Sequence, residues 1–237
     1  MESEVAEVPF SGHWKAMVEI ARKPEELFLS FPYRARVFSS GERTLVSLSF
    51  KRLLARFDFD GVLEFTFGEP FATYVMKGER GLLILSFAAG DGTLLSRASA
   101  DIPGERRLKG KLRFLALQSG KTVARMAESY ESVAPRIVGS PLDFVLRDLD
   151  PSLLPHVIRY VRLKLAKPSF RLVGNGGSER FSISVENDVV SGIEHEGPNG
   201  SAIIEIGKDV LEVAKEDFQG VDVRGRYEVK AILPSSP

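Results

Sequence analysis

"RFDFDGVLEFTFGEPF", residues 56–71, sets five phenylalanines around a central Asp60-Gly61, and its reading decides the fold. If Asp60-Gly61 is a two-residue hairpin turn, residues 59 and 62 face each other across the ladder, as do 57 and 64. Phe57 then shares a face with Glu64, and Phe65 and Phe67 point the other way. If the strand runs on through Gly61, then Phe57, Phe59, Leu63, Phe65 and Phe67 share one face, opposite Arg56, Asp58, Asp60, Glu64 and Thr66. Parity therefore predicts one long strand. Gly61 falls on its apolar face, where a missing side chain permits a sharp bend or bulge.

Outward from that strand, 41–50 is rich in β-branched and apolar residues and predicts the strand before it. After a turn at Gly68-Glu69-Pro70, strands are expected over 71–77, 82–88 and 93–102, separated by 78–81 and by Gly90-Asp91-Gly92. In 108–134 the apolar positions Leu112, Leu115, Ala116, Val123, Met126 and Ala127 recur at three and four, the period of a long amphipathic helix, with Gly120 as a point of bending. Upstream, Trp14, Ala16, Val18 and Ile20 alternate with Lys15 and Glu19, which predicts a first strand. Lys23-Pro24-Glu25-Glu26 then opens a short helix that Pro32 stops. "MESEVAEVPF", 1–10, has three acidic residues and no basic or long apolar run, so it reads as a flexible tail and not as a secretory signal.

Pro135, Gly139 and Pro141 mark a boundary, and 135–150 reads as a linker. A smaller α+β domain follows over 151–233. It comprises a helix near 151–167, strands near 169–173, 180–186, 189–194 and 201–206, a helix near 208–217 and a last strand within 221–233. A short tail, 234–237, closes the chain. At 237 residues the chain exceeds a typical domain of roughly 100–150, so two domains are expected.

Composition narrows the function classes. Thirty-two basic residues balance 32 acidic ones, which argues against a dedicated nucleic-acid binder. The absence of cysteine removes disulfides, thiolate metal sites and cysteine nucleophiles. No apolar run approaches the roughly 20 residues that span a bilayer, so the expectation is a cytoplasmic protein. Two Gln and three Asn among many charged residues suit a thermophile.

No catalytic residue, metal site or cofactor is predicted. His13, His156 and His195 are far apart, and Glu194-His195-Glu196 before Gly197-Pro198 reads as a solvated turn. Gly174-Asn175-Gly176-Gly177 lacks the Lys-Ser/Thr of a phosphate loop and reads as a hairpin turn. Arg106, Arg107, Lys109, Lys111 and Arg113 form a basic run at a helix entrance, either a solvated face or a docking surface for anionic lipid or phosphate. Residues 157–165 alternate apolar and basic side chains, either as a domain connector or as a peripheral membrane helix.

Strand, short helix after "KPEE", antiparallel meander and long C-terminal helix is the order of the helix-grip fold of START-like, Bet v 1-like (SRPBCC) proteins. Within it, "FDFDGVLEFTFGEPFATYVMKGERGLLILSF" followed by "GDGTLLSRASADI" resembles the G-type subunits of carbon monoxide dehydrogenase, over about residues 11–134. The resemblance implies an α+β fold in which a curved antiparallel sheet grips the helix around a cavity for lipids, quinones or other apolar ligands. Phe57, Phe59, Leu63, Phe65 and Phe67 would line one wall, and Leu115, Val123 and Met126 the other. Against the family, the segment after Pro24 is short where two helices normally close one end of the cavity, so the mouth is expected to be open or covered by other chain. The second domain, through "ERFSISVENDVVSG" and "SAIIEIGKDVLEVAKEDFQGVDVRGRYEVKAIL", is similar in pattern to the sterol carrier protein-2 group.

The expected function is thus binding or transport of a hydrophobic small molecule, driven by apolar burial at about 25 cal/mol per Å², with Tyr74 and Arg97 as candidate orienting groups. A scaffolding protein whose groove takes a partner or a homodimer is the alternative. A hydrolase or cyclase, known among START-like proteins, would need convergent polar groups in the cavity.

Overall fold

The computed structural model describes residues 1–52 and 55–234; the expected tail lies outside these from Ser235 on. The chain divides into two compact units, Met1–Glu128 and Ser129–Pro237.

The first unit contains β1 (Glu2–Pro9), α1 (Trp14–Ala21), α2 (Pro24–Phe28) and β2 (Arg34–Ser40), followed by β3 (Arg43–Arg52), β4 (Ala55–Gly68), β5 (Phe71–Gly78), β6 (Gly81–Ala89) and β7 (Thr93–Asp101). The long helix α3 (Leu108–Val133) comes last, its final turn lying beyond Glu128. One antiparallel sheet has the order β1-β7-β6-β5-β4-β3-β2, a meander closed by the N-terminal strand. The buried sheet residues and the buried face of α3 make this unit a helix-grip fold.

β4 is the single strand that parity predicts, and its pairing explains the curvature. Ala55 to Val62 pair with β3, Arg52 to Leu45, whereas Val62 to Gly68 pair with β5, Lys77 to Phe71. The strand exchanges one neighbour for the other at Val62. Gly61 makes the crossing: a Cβ there would lie 2.5 Å from the Lys77 carbonyl oxygen, so no side chain fits.

Two N-terminal expectations are overturned. Residues 1–10 are not a flexible tail, because Glu2 to Pro9 pair in register with Ala100 to Thr93. Their glutamates are what an exposed edge strand carries, and the pairing, which composition does not reveal, orders them. Residues 14–21 are a helix, not a strand. Met17 and Ala21 are as buried as Ala16 and Ile20, so the buried set follows a helical stripe that period two omits. His13 caps it, Nδ1 accepting from the Lys15 amide at 3.2 Å. Two helices therefore precede β2, although the segment after Pro24 holds only the short α2, as expected.

The second unit holds β8 (Ile137–Ser140), β9 (Asp143–Leu149), α4 (Leu154–Leu165), β10 (Phe170–Asn175), β11 (Arg180–Glu186), β12 (Val189–Gly197), β13 (Gly200–Asp209) and β14 (Gly225–Ile232). Its antiparallel sheet runs β13-β12-β11-β10-β14-β9-β8. The segment 135–150, expected as a linker, contains the β8–β9 hairpin, and the turn residues that suggested a boundary serve that hairpin. The final strand inserts between β9 and β10, and α4 lies between β9 and β10 in sequence, so the strand order differs from that of the first unit.

The helix expected near 208–217 is also absent. β13 continues to Asp209, and only Lys215–Phe218 forms a 3-10 turn. Side chains hold the intervening backbone: Arg159 donates to the carbonyls of Val210 (2.9 Å), Leu211 (3.4 Å) and Val213, and the Asp217 carboxylate accepts from the Ala214 amide at 2.8 Å. Such bonds compete with helix formation.

Candidate functional site

The inner face of the first sheet is a continuous set of apolar side chains against α3. Phe57, Phe59 and Leu63 are buried, as are Leu115, Val123 and Met126 across from them. Phe50 connects sheet and helix, its ring centroid 5.1 Å from Phe57 and 4.9 Å from Phe114 of α3. The chain of rings continues through Tyr33, 5.9 Å from Phe50 and stacked on Phe31 at 5.1 Å, to Phe28 and Tyr74.

Phe65 and Phe67 depart from the expected wall. Phe65 points to the inner side by parity, but its residue is 42% exposed, and Phe67 is half-buried. Beyond Val62 the strand has β5 on one side and no longer β3 on the other, so both rings, 5.3 Å apart, sit on a local edge where the apolar interior reaches the surface. At the same end, a cleft of about 610 Å³ lies between 10–14, Glu69-Pro70 and 89–92.

Three hydroxyls lie within this apolar region. The Tyr33 hydroxyl is buried, with the Ser119 hydroxyl beside it but no partner in good hydrogen-bond geometry among the described residues. Its neighbour Ser119 donates to the Leu115 carbonyl within α3. Burial pushes the Tyr33 hydroxyl far above its ordinary pKa, partly offset by Ser119, so it remains a neutral O–H donor. The third, Ser96 Oγ, is also buried without a partner among the described residues. Ser96 lies where β7 meets Gly120; a Cβ on Gly120 would be 2.7 Å from Ser96 Cβ and 3.1 Å from Val8 Cγ2. Gly120 therefore leaves α3 uninterrupted and lets helix and sheet approach closely.

The expected orienting groups are not available. The Tyr74 hydroxyl donates to the Ala21 carbonyl, tying the sheet to α1, and Arg97 is exposed on the outer face of β7. Tyr33, outside the expected set, carries a buried hydroxyl among the inner rings instead. Its sequence signal is the alternation Tyr33, Ala35, Val37 against Arg34 and Arg36, which sets it on the inward side of β2.

Other candidates resolve into structural roles. Lys111 is buried, paired with Glu105 and 5.7 Å from the centre of the Phe57 ring; Arg80 shares the same carboxylate, and Lys109 pairs with Glu4. The basic run is thus partly internal. In α4, Val157, Ile158 and Val161 join the core of the second unit and Arg162 pairs with Asp188, so the helix does not present a free amphipathic face. His195 is buried within β12, not in a solvated turn, and its Nε2 lacks a partner among the described residues. Gly174 and Gly176 leave room for the rings of Phe181 and Tyr227. Among the described residues no helix is long and apolar enough to cross a membrane, and no three His, Asp or Glu side chains are placed to share a metal ion.

No family model matches the chain, and no curated protein matches it in sequence. Solved structures share its outline. TTHA0849 from Thermus thermophilus has a TM-score of 0.43 at 12% identity, covering 54% of this chain and 98% of its own. The Zhui aromatase/cyclase from Streptomyces sp. R1128 has 0.41 at 9%, covering 55% and 95%. The di-domain ARO/CYC StfQ from the steffimycin biosynthetic pathway has 0.38 at 11%, covering 99% and 86%. With every one of these TM-scores below 0.5, the helix-grip assignment rests on the strand order and long helix of this chain itself.

Proposed function

We propose that the first unit binds a hydrophobic small molecule, a lipid, quinone or similar compound, between its sheet and α3. The observation that carries this is the Tyr33 hydroxyl, buried among aromatic rings with only the Ser119 hydroxyl beside it and no partner in good hydrogen-bond geometry among the described residues. A desolvated hydroxyl without a hydrogen bond costs about 1–3 kcal/mol, and one set among Phe31, Phe50 and Phe114 is a natural donor to an oxygen carried by an apolar guest. The edge at Phe65 and Phe67 supplies apolar surface by which such a guest would enter. A grouping with the G-type subunits of carbon monoxide dehydrogenase, and a sterol carrier protein-2 kinship for the second unit, belong to this proposal.

Native mass spectrometry followed by denaturing extraction tests it, with a short-chain quinone and palmitate as added probes. The expected result is about one apolar molecule per chain, held roughly tenfold more weakly by Tyr33→Phe, the equivalent of one lost hydrogen bond of about 1.4 kcal/mol. The empty variant should be at least as stable as the wild type. A protein that takes up neither probe, or a Tyr33→Phe variant that binds equally but unfolds more easily, would overturn the reading.

A further inference from the structure

Two open sheets present four edges, and the chain treats them unequally. β1 carries Glu2, Glu4 and Glu7, β2 carries Arg34 and Arg36, and β8 is four residues long with Gly139 at φ 130°. Charge, brevity and irregular backbone are what keep an edge from pairing with another chain. β13 has little of this protection over its first seven residues, where Glu205 is the sole charge beside Ile203, Ile204 and Ile206. Ile203 is 79% exposed, the most exposed large apolar side chain among the described residues. Only at Gly207, with φ 66°, does a register shift against β12 break the strand's regularity.

We infer that β13 is the surface on which a second copy of this chain docks, its β13 adding antiparallel to form a sheet continuous across two protomers. Backbone geometry restricts the register. Gly197 and Gly200 flank a two-residue turn and form a hydrogen-bonded pair, and such pairs recur at every second residue. Residues 200, 202 and 204 therefore direct their amides and carbonyls at β12, while Ser201, Ile203 and Glu205 direct theirs outward. Only registers that set these three against one another complete the ladder.

Among those, one centred on Ile203 satisfies the side chains. Ile203 meets Ile203 of the second copy, and Ser201 meets Glu205 in both directions, a hydroxyl donor opposite the segment's one charge. Centring on Glu205 would place two carboxylates face to face. Centring on Ile204 would set Glu205 against Ile203 and draw the irregular Gly207 into the ladder. The favoured register adds about six backbone hydrogen bonds and covers the half-buried Ala202, Ile204 and Ile206.

The absence of cysteine makes the register directly testable in the full chain. Opposed Cα atoms in such a pair are about 5.5 Å apart, within disulfide reach. Light scattering across a concentration series should show the mass doubling, with Ile203→Lys returning it to the monomer. On mild oxidation Ile203→Cys alone should cross-link. Ser201→Cys and Glu205→Cys should each stay single, and their mixture should cross-link. A wild type that stays monomeric, a dimer unchanged by Ile203→Lys, or an Ile203→Cys dimer that does not cross-link would each overturn the inference. Ile203 is exposed, so the variants are expected to fold, with circular dichroism as the check.

Discussion

Gly120→Ala should destabilise the first unit although it improves local helix propensity. The new Cβ would sit 2.7 Å from Ser96 Cβ and 3.1 Å from Val8 Cγ2, where carbon contacts normally lie at about 3.5–4.0 Å. Overpacking of this kind costs about 1–3 kcal/mol, and Gly→Ala in a helix interior returns up to about 1 kcal/mol. The net expectation is a loss of about 1–2 kcal/mol. Trp14, the sole tryptophan, lies on α1 of the same unit, so its fluorescence in a urea titration reports that unit's unfolding. Ser96→Gly removes the atom in closest conflict, so the double variant should be less destabilised than the sum of the two single ones. A Gly120→Ala protein as stable as the wild type, or more so, would refute the close approach of α3 to β7 and β1.

Arg159→Leu should lower the stability of the second unit by about 3 kcal/mol, because it strips the carbonyls of Val210, Leu211 and Val213 of a buried donor; amide exchange over 210–214 should accelerate first. Asp150 is held below the usual carboxylate range chiefly by the Ser152 hydroxyl, against the opposing effect of burial. A depressed folded pKa contributes stability above the unfolded value of about 3.9, lost as pH falls through the folded value. Acid titration of α4 amide exchange should therefore show protection falling below about pH 4 in the wild type and a shallower fall in Asp150→Asn.

The elements legible in the sequence are those whose signal is local. β4 through β7 and α3 follow from parity, turn residues and the three-four repeat, because each buries one face along its own length. α1 imitates a strand because eight residues hold barely two helical turns, and Trp14, Ala16, Val18 and Ile20 fit period two as long as Met17 is ignored. β1 is hidden because its order comes from β7, some ninety residues away, and β8 and β9 because their turn residues imitate a linker. Within the candidate site, Phe57, Phe59, Leu63, Leu115, Val123 and Met126 are core residues as parity implies. Phe65 and Phe67 escape full burial through the change of strand partner at Val62, which a one-dimensional pattern does not encode. Tyr33 does not stand out in the sequence because the burial of its hydroxyl among rings is a property of the packed structure.

The pairing of β1 with β7 also orders events in time. β2 to β7 pair each with the next in sequence, so that meander can assemble as it leaves the ribosome, hairpin by hairpin. β1, synthesised before all of them, has no partner until β7 has emerged, because Glu2 pairs with Ala100. Through that interval its three glutamates keep an unpaired strand hydrated and repel copies on neighbouring nascent chains. The same charges, one of which later pairs with Lys109, thus guard the chain while it is being made.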